Sequence, residues 1–226
     1  MPSTRTESIT NVEPVMNILK VADHPKVVVM GAAGVGKTSI VCQFLYERFP
    51  LDHIPTVEEM HKTVYDISGS KLSLDLLDTS GSFQFPAMRE LAIKTCDAFV
   101  LVYAINDAES FQYVCFLRDL IYELRPNETK IPIVIVGNKC DLEESRAVSK
   151  DITESVVTID WENGFVEASA KENFNIVEIF KTVLIQAHVC YSLVPLIERR
   201  KSLPNSSTCP QVRHTLVQKR HSCTIQ

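Results

Sequence analysis

The chain reads as an α/β protein, with a mostly parallel six-stranded sheet, one antiparallel edge strand and helices on both faces. Three observations predict this. Short unbroken apolar runs, Val27–Met30, Ala98–Ile105 and Ile131–Val136, have the character of strands covered on both sides. Helical periodicity or cap residues recur between the strand-like runs. One pair of runs, Val64–Ile67 and Leu72–Leu77, flanks Ser68-Gly69-Ser70-Lys71 and reads as a hairpin, the source of the antiparallel strand.

Taken in order, residues 1–24 form a polar lead-in, expected to be flexible. Val27–Met30 is a buried strand and Thr38–Phe49 a helix. The hairpin follows, then a helix over Ala87–Lys94 and a central strand at Ala98–Ile105. Ser110–Leu124 is a helix, with Ser110 near its start and Arg125-Pro126 at its stop. Ile131–Val136 is the next strand, Ser149–Asp160 a weaker helix and Gly164–Ala168 a short strand. Asn173–Ile197 reads as a long helix, with Val177, Phe180, Val183, Leu184 and Ala187 on one face and Pro195 as kink or end. The folded domain therefore spans 25–197, and 198–226 is a disordered basic tail.

Composition narrows the class. Apolar content of 45% and charged content of 23% are those of a soluble globular protein. The sequence holds no apolar run of the roughly 18 residues that a membrane span needs and no signal-peptide core, so the cytosol is expected. Seven scattered cysteines without a C-x-x-C pair point to free thiols, most of them in the core, and to neither zinc nor disulfides. The net charge of −5 is uneven, because the segment from Leu196 onward carries +5 and the rest −10. A basic tail on an acidic body suits an anionic surface. Nucleic acid, which asks for a basic folded face, is not expected as a partner.

Two motifs carry the chemistry. The first strand runs into Gly31-Ala32-Ala33-Gly34-Val35-Gly36-Lys37-Thr38, and a helix begins at once: a phosphate loop in its required setting. Successive N–H groups and the helix start attract anions. Gly34 and Gly36 admit close backbone approach, Lys37 reaches the outer phosphates, and the Thr38 hydroxyl ligates Mg²⁺. The strand Ile131–Val136 runs into Gly137-Asn138-Lys139-Cys140-Asp141. A carboxylate is an acceptor only; Asp141 matches the N1–H and 2-amino donors of guanine and would be left unpaired by adenine, a discrimination worth about 10⁴ or more. Asn138 would link this base reader to the phosphate loop, with the Lys139 stem along the base plane.

Gly31–Thr38, Asp78-Thr79-Ser80-Gly81, Asn138–Asp141 and Glu167-Ala168-Ser169-Ala170-Lys171 stand in the order and spacing of the Ras-like small GTPases, which the chain resembles over about residues 25–195. The segment after Asp78 and the long tail look most like divergent Ras groups such as Dexras/Rhes and Ras-dva. The resemblance implies a P-loop NTPase G domain that binds GTP and GDP with Mg²⁺ and acts as a monomeric signalling switch. It places Gly34, Val35, Gly36, Lys37, Thr38 and Ser39, with Gly31 and Ala33, around the phosphates. It also implies Mg²⁺ held by Thr38 and Thr56, and by Asp78 through water. The Gly81 N–H would meet the γ-phosphate, and Ser169-Ala170-Lys171 would close over guanine with backbone N–H groups toward O6. Phe49 matches an aromatic that packs on the base, with an ordinary core phenylalanine as the competing reading. Effectors, exchange factors and GTPase-activating proteins would dock on residues of about 51–61 and 80–92.

Two departures concern hydrolysis. Ser82 stands where most relatives have a Gln that orients the attacking water, and Ala33 stands where Ras has Gly. The machinery of Lys37, Gly81 and Ser82 is thus weakened, and intrinsic turnover is expected at or below the slow rate of unaided Ras. Gln84 is a poor substitute. A non-cycling pseudo-GTPase holding its nucleotide is the alternative; an ATP-dependent P-loop kinase is disfavoured by Asp141. Met60 and His61 stand where Ras has Ser and Tyr, so effectors that add a strand at this edge should bind weakly. His53 and His61 are read as surface histidines.

The C-terminal Cys223-Thr224-Ile225-Gln226 fits a C-a-a-X box, with Gln favouring farnesyl. One lipid chain needs a second signal, which the basic tail supplies at an anionic leaflet. Localisation is expected on the cytoplasmic side of a membrane, the plasma membrane first, with Cys209 as a further tail thiol.

Overall fold

The computed structural model describes residues 24–50, 56, 58–67, 70–81 and 86–187. The lead-in 1–23, the tail with Cys209 and Cys223, and His53, Ser82 and Gln84 lie outside them.

Six strands form one sheet: β1 (Lys26–Gly31), β2 (Glu58–Ile67), β3 (Ser70–Thr79), β4 (Ala98–Ala104), β5 (Ile133–Asn138) and β6 (Gly164–Glu167). Their order is β2-β3-β1-β4-β5-β6. Only β2 and β3 pair antiparallel; every other neighbour is parallel, as expected. Among the described residues five α-helices accompany them: α1 (Lys37–Tyr46), α2 (Pro86–Thr95), α3 (Ala108–Leu124), α4 (Lys150–Ser155) and α5 (Ile176–Gln186).

Strand alternation builds two different cores. Val27, Val29, Val100, Val102, Val134 and Val136 face α1 and α5, packing with Ile40, Val41, Ile179 and Phe180. Val28, Met30, Phe99, Leu101, Tyr103, Ile133 and Ile135 face the other way, onto Ile93 of α2 and Val114, Leu117 and Ile121 of α3. One layer is lined by valine, the other by larger side chains. A one-residue slip of β4 would drive Phe99, Leu101 and Tyr103 into the valine layer, and overpacking costs about 1–3 kcal/mol per site. That difference in volume specifies the register. On the valine side α1 meets α5 through the Phe44 and Phe180 rings, stacked with centroids 3.8 Å apart.

Several boundaries differ from the sequence reading. β2 begins at Glu58, not Val64, because its polar residues pair by backbone with β3 as far as Glu58 opposite Thr79; apolar pattern cannot reveal such an extension. α1 stops at Tyr46, where Glu47 turns left-handed at φ 52° and its N–H caps Gln43, so Phe49 lies beyond the helix. α3 starts at Ala108, capped by Asp107, whose Oδ1 accepts from Glu109 N at 3.1 Å and Ser110 N at 3.3 Å. Ser110 is buried instead, donating to the Asp107 carbonyl at 2.6 Å and accepting from Ala104 N at 3.0 Å. The helix predicted over 149–160 is α4 followed by a π-helical turn, Val156–Asp160. α5 begins at Ile176 after left-handed Asn175, and Val177, placed on its apolar face, is 39% exposed because Ile176 and Ile179 take that face. Of the four described cysteines only Cys96 is buried; Cys42, Cys115 and Cys140 are half-buried free thiols. None of the described helices is long and apolar enough to cross a membrane.

Candidate nucleotide site

β1 is buried to its last residue and delivers the chain to Gly31, where a Cβ would collide with the Val102 carbonyl of β4. Gly34 and Gly36 then take φ of 75° and 97°, the left-handed region that side chains resist. A Cβ at Gly36 would fall on the Asn138 amide nitrogen. α1 starts at the next residue, Lys37, so the backbone amides of the loop sit at a helix N-terminus.

Lys37 is buried, and its Nζ donates to the Gly31 carbonyl at 3.1 Å and the Ala32 carbonyl at 2.7 Å. Burial lowers its pKa to about 8, with Asp78 pulling the other way. Asp78, at the carboxyl end of β3, is fully buried. Its Oδ2 accepts from Thr38 Oγ1 at 2.6 Å, and Thr38 Oγ1 lies 2.7 Å from Thr56 Oγ1. Burial raises the Asp78 pKa, while the Thr38 hydrogen bond, Lys37 and His61 oppose the rise. Asp78 Oδ1 is buried with no hydrogen-bond partner among the described residues. Three residues separated by up to 40 positions thus converge on one point. Gly81 packs against the Ala32-Ala33 backbone so tightly that a Cβ there would overlap it.

The second half of the site lies past β5. Asn138 ends that strand, buried, and its Nδ2 donates to the Val35 carbonyl at 2.7 Å while its Oδ1 accepts from Ala170 N at 3.1 Å. Asn138 thus links the end of β5 to the Gly-rich loop before α1. Its Oδ1, buried and in need of a donor, engages the Ala170 N–H, one of the amides expected to face the base. Left-handed Lys139, at φ 67°, turns the chain into a 3₁₀ segment, Cys140–Ser145. Asp141 Oδ1 accepts from Ser169 Oγ at 2.6 Å, and Lys171 Nζ lies 4.0 Å from Asp141 Oδ2. Ser39 is half-buried on the first turn of α1. Phe49 packs against the valine-lined core, in keeping with its competing reading as a core side chain.

Two residues that sequence reasoning missed complete the frame. Gln43 of α1 is buried and donates through Nε2 to the Ala170 carbonyl at 3.0 Å. Arg146 forks onto Glu143 at 2.8 and 2.6 Å and onto Glu167 at 2.7 and 3.2 Å. The first leaves no trace in sequence beyond a polar residue on an apolar helix face. The second was signalled only by an arginine behind two acids.

The Ras family profile matches residues 26–188, which is most of the described domain. The chain belongs to the Ras family of small GTPases. This Ras-family chain is 41% identical over 186 residues to the GTP-binding protein Rhes of Homo sapiens, covering 79% of this chain and 70% of that protein. It is 38% identical over 177 residues to the GTP-binding protein Rit2 of Rattus norvegicus, covering 77% and 80%. It is 40% identical over 159 residues to the GTP-binding protein Di-Ras2 of Pongo abelii, covering 70% and 79%.

Proposed function

We propose that this Ras-family chain is a guanine-nucleotide switch with slow intrinsic GTP hydrolysis, anchored to a membrane through its C-terminal tail. The observation that carries the nucleotide reading is the convergence of Thr38, Thr56 and Asp78 beside the Lys37 ammonium, joined to Asp141 through Asn138. A buried ammonium partnered mainly by carbonyls, its pKa lowered to about 8, favours any arriving negative charge. The loop amides and the start of α1 supply further donors for phosphate oxygens.

The residues fit magnesium. Two hydroxyls and a carboxylate are hard oxygen donors, and Asp78 Oδ1 is a buried acceptor lacking a partner, a condition with a real energetic cost. Thr38 and Thr56 would hold the ion, with Asp78 behind a water. When bound, Mg²⁺ neutralises phosphate charge. Among the described residues no three His, Cys, Asp or Glu side chains gather as a metal site.

Base choice rests on Asp141. Ser169 already occupies its Oδ1, which fixes the carboxylate plane, and Lys171 approaches Oδ2 from solvent. Guanine would offer the carboxylate two N–H donors, whereas adenine offers none in that position. Asn138 and Gln43 hold the Ala170 backbone from either side, so the base-closing loop is set by the phosphate loop and α1.

Hydrolysis depends on positioning. Lys37 and the Gly81 N–H would stabilise charge developing on the γ-phosphate. Gly81 lies against the Ala33 backbone, and the Ala33 methyl group, which the Gly of Ras lacks, would crowd the attacking water and any incoming arginine. Ser82 is too short to orient that water. These two residues also favour the alternative, a non-cycling module that keeps its nucleotide.

For the tail, Cys223 is the proposed prenylation site and the basic residues the second signal at an anionic cytoplasmic leaflet, the plasma membrane first. Cys223→Ser is expected to release the protein to the soluble fraction of a cell lysate, and continued membrane residence would refute the anchor. Regulators and effectors are proposed to read residues of about 51–61 and 80–92.

The deciding experiment identifies the nucleotide that co-purifies and follows its conversion in a single turnover. GTP passing slowly to GDP supports the switch, and GTP retained unconverted supports the module. Protein that takes up ATP as readily as GTP defeats both. Asp141→Asn is expected to weaken GTP and strengthen xanthosine triphosphate, because the 2-oxo group of xanthine accepts where the 2-amino group of guanine donates.

A further inference from the structure

α4 and the π-helical turn that follows carry an unpartnered apolar face. Ile152 and Ile159 are 68% and 72% exposed, the latter the most exposed large apolar side chain in the described residues. Half-buried Val156 lies between them in sequence. Together with Asp151, Ser155 and Asp160 they line a groove of about 400 Å³. The turn beneath is π-helical: Trp161 N bonds the Val156 carbonyl at 3.0 Å, five residues back. Such turns are rare and appear mostly where function needs them.

The rim is acidic. Asp151 and Asp160 are both exposed and line the groove with the apolar residues. Lys150, at the helix start, is the cation in this stretch. Arg146 is drawn away into its fork with Glu143 and Glu167. An apolar floor between carboxylates fits one kind of occupant, a short helix with an apolar stripe flanked by Lys or Arg.

We propose that the α4 groove docks a basic amphipathic helix of a partner protein. The groove uses no residue of the nucleotide site, so the proposal does not rest on that reading. Three apolar side chains cannot by themselves supply the roughly 800 Å² per partner of a stable interface, so the contact is transient. It lends partner specificity by charge and shape.

The test titrates the full chain with a labelled 15-residue peptide of leucine and lysine, its leucines at helical spacing, read by fluorescence anisotropy. The control is the same pattern in leucine and glutamate. The lysine peptide is expected to bind, at least tenfold more tightly than the glutamate peptide. Ile152→Ser with Ile159→Ser should weaken it tenfold or more, and Asp151→Asn with Asp160→Asn severalfold. All four side chains are at the surface, so both variants should keep the thermal midpoint of the parent. Undiminished binding by the isoleucine variant would mean unspecific charge attraction and would overturn the proposal. Concentration-dependent self-association lost in that variant would also overturn it, making a second copy the occupant.

Discussion

Gln43 and Ala170, 127 positions apart, are joined by a 3.0 Å bond from the side-chain amide to the backbone carbonyl. Ala170 also donates its backbone N–H to Asn138, which in turn holds the Val35 carbonyl. The Ser169–Lys171 loop is thus suspended between the first helix and the Gly-rich loop before it. On the proposed reading, grip on one end of the nucleotide is tied to grip on the other.

Gln43→Leu keeps the shape of the side chain and strands the Ala170 carbonyl in the interior. A buried acceptor left unmade costs about 1–3 kcal/mol, so GDP should dissociate about tenfold or more faster. Displacement of a fluorescent GDP analogue measures this. An unchanged off-rate would show that Asn138 suffices.

Arg146 joins the loop after Asp141 to the end of β6, with side-chain exposures of 16% for Arg146 and 9% for Glu167. Arg146→Met removes both forks and the bond to the Val148 carbonyl at 3.1 Å and leaves the Glu167 carboxylate shielded but unpaired. A loss of about 2–4 kcal/mol is expected, read as a lower urea midpoint at unchanged slope. Glu143→Gln should cost far less, because that acid is exposed and its interactions are screened.

The proposed slow hydrolysis is testable at the two positions to which it is assigned. Ser82→Gln supplies a side chain long enough to orient water, and Ala33→Gly clears the approach beside Gly81. The double variant is expected to hydrolyse GTP about tenfold or more faster in single-turnover assays. A rate no higher than that of the parent would refute the roles proposed for Ser82 and Ala33.

Cys96 provides a pH dependence. Burial raises its thiol from 9.0 to about 11. Between those values the folded chain holds a proton that the unfolded chain has released, so stability falls as pH climbs through the window. Urea midpoints of the parent should drop more steeply than those of Cys96→Ala between about pH 8.5 and 10.5. Parallel slopes would contradict the shift.

The order of strands and helices was legible because buried parallel strands leave unbroken apolar runs, as at Ala98–Ile105. The phosphate loop and the Asn138–Asp141 turn were legible because close backbone approach demands glycine and base reading demands a carboxylate. Edges were less so. β2 reaches back to Glu58 through backbone pairing that any side chain allows, and the π turn at Val156–Asp160 has no periodic signature.

The sequence by itself determined the sheet, the identity of the loop residues and the hydrolytic substitutions Ala33 and Ser82, since each rests on local chemistry or periodicity. Only the tertiary structure decided which distant groups meet: Thr56 with Thr38, Gln43 with Ala170, Arg146 with Glu167, and Asn138 with both halves of the site. Those pairings form where polar groups enclosed by packing must find partners, and enclosure belongs to the fold as a whole.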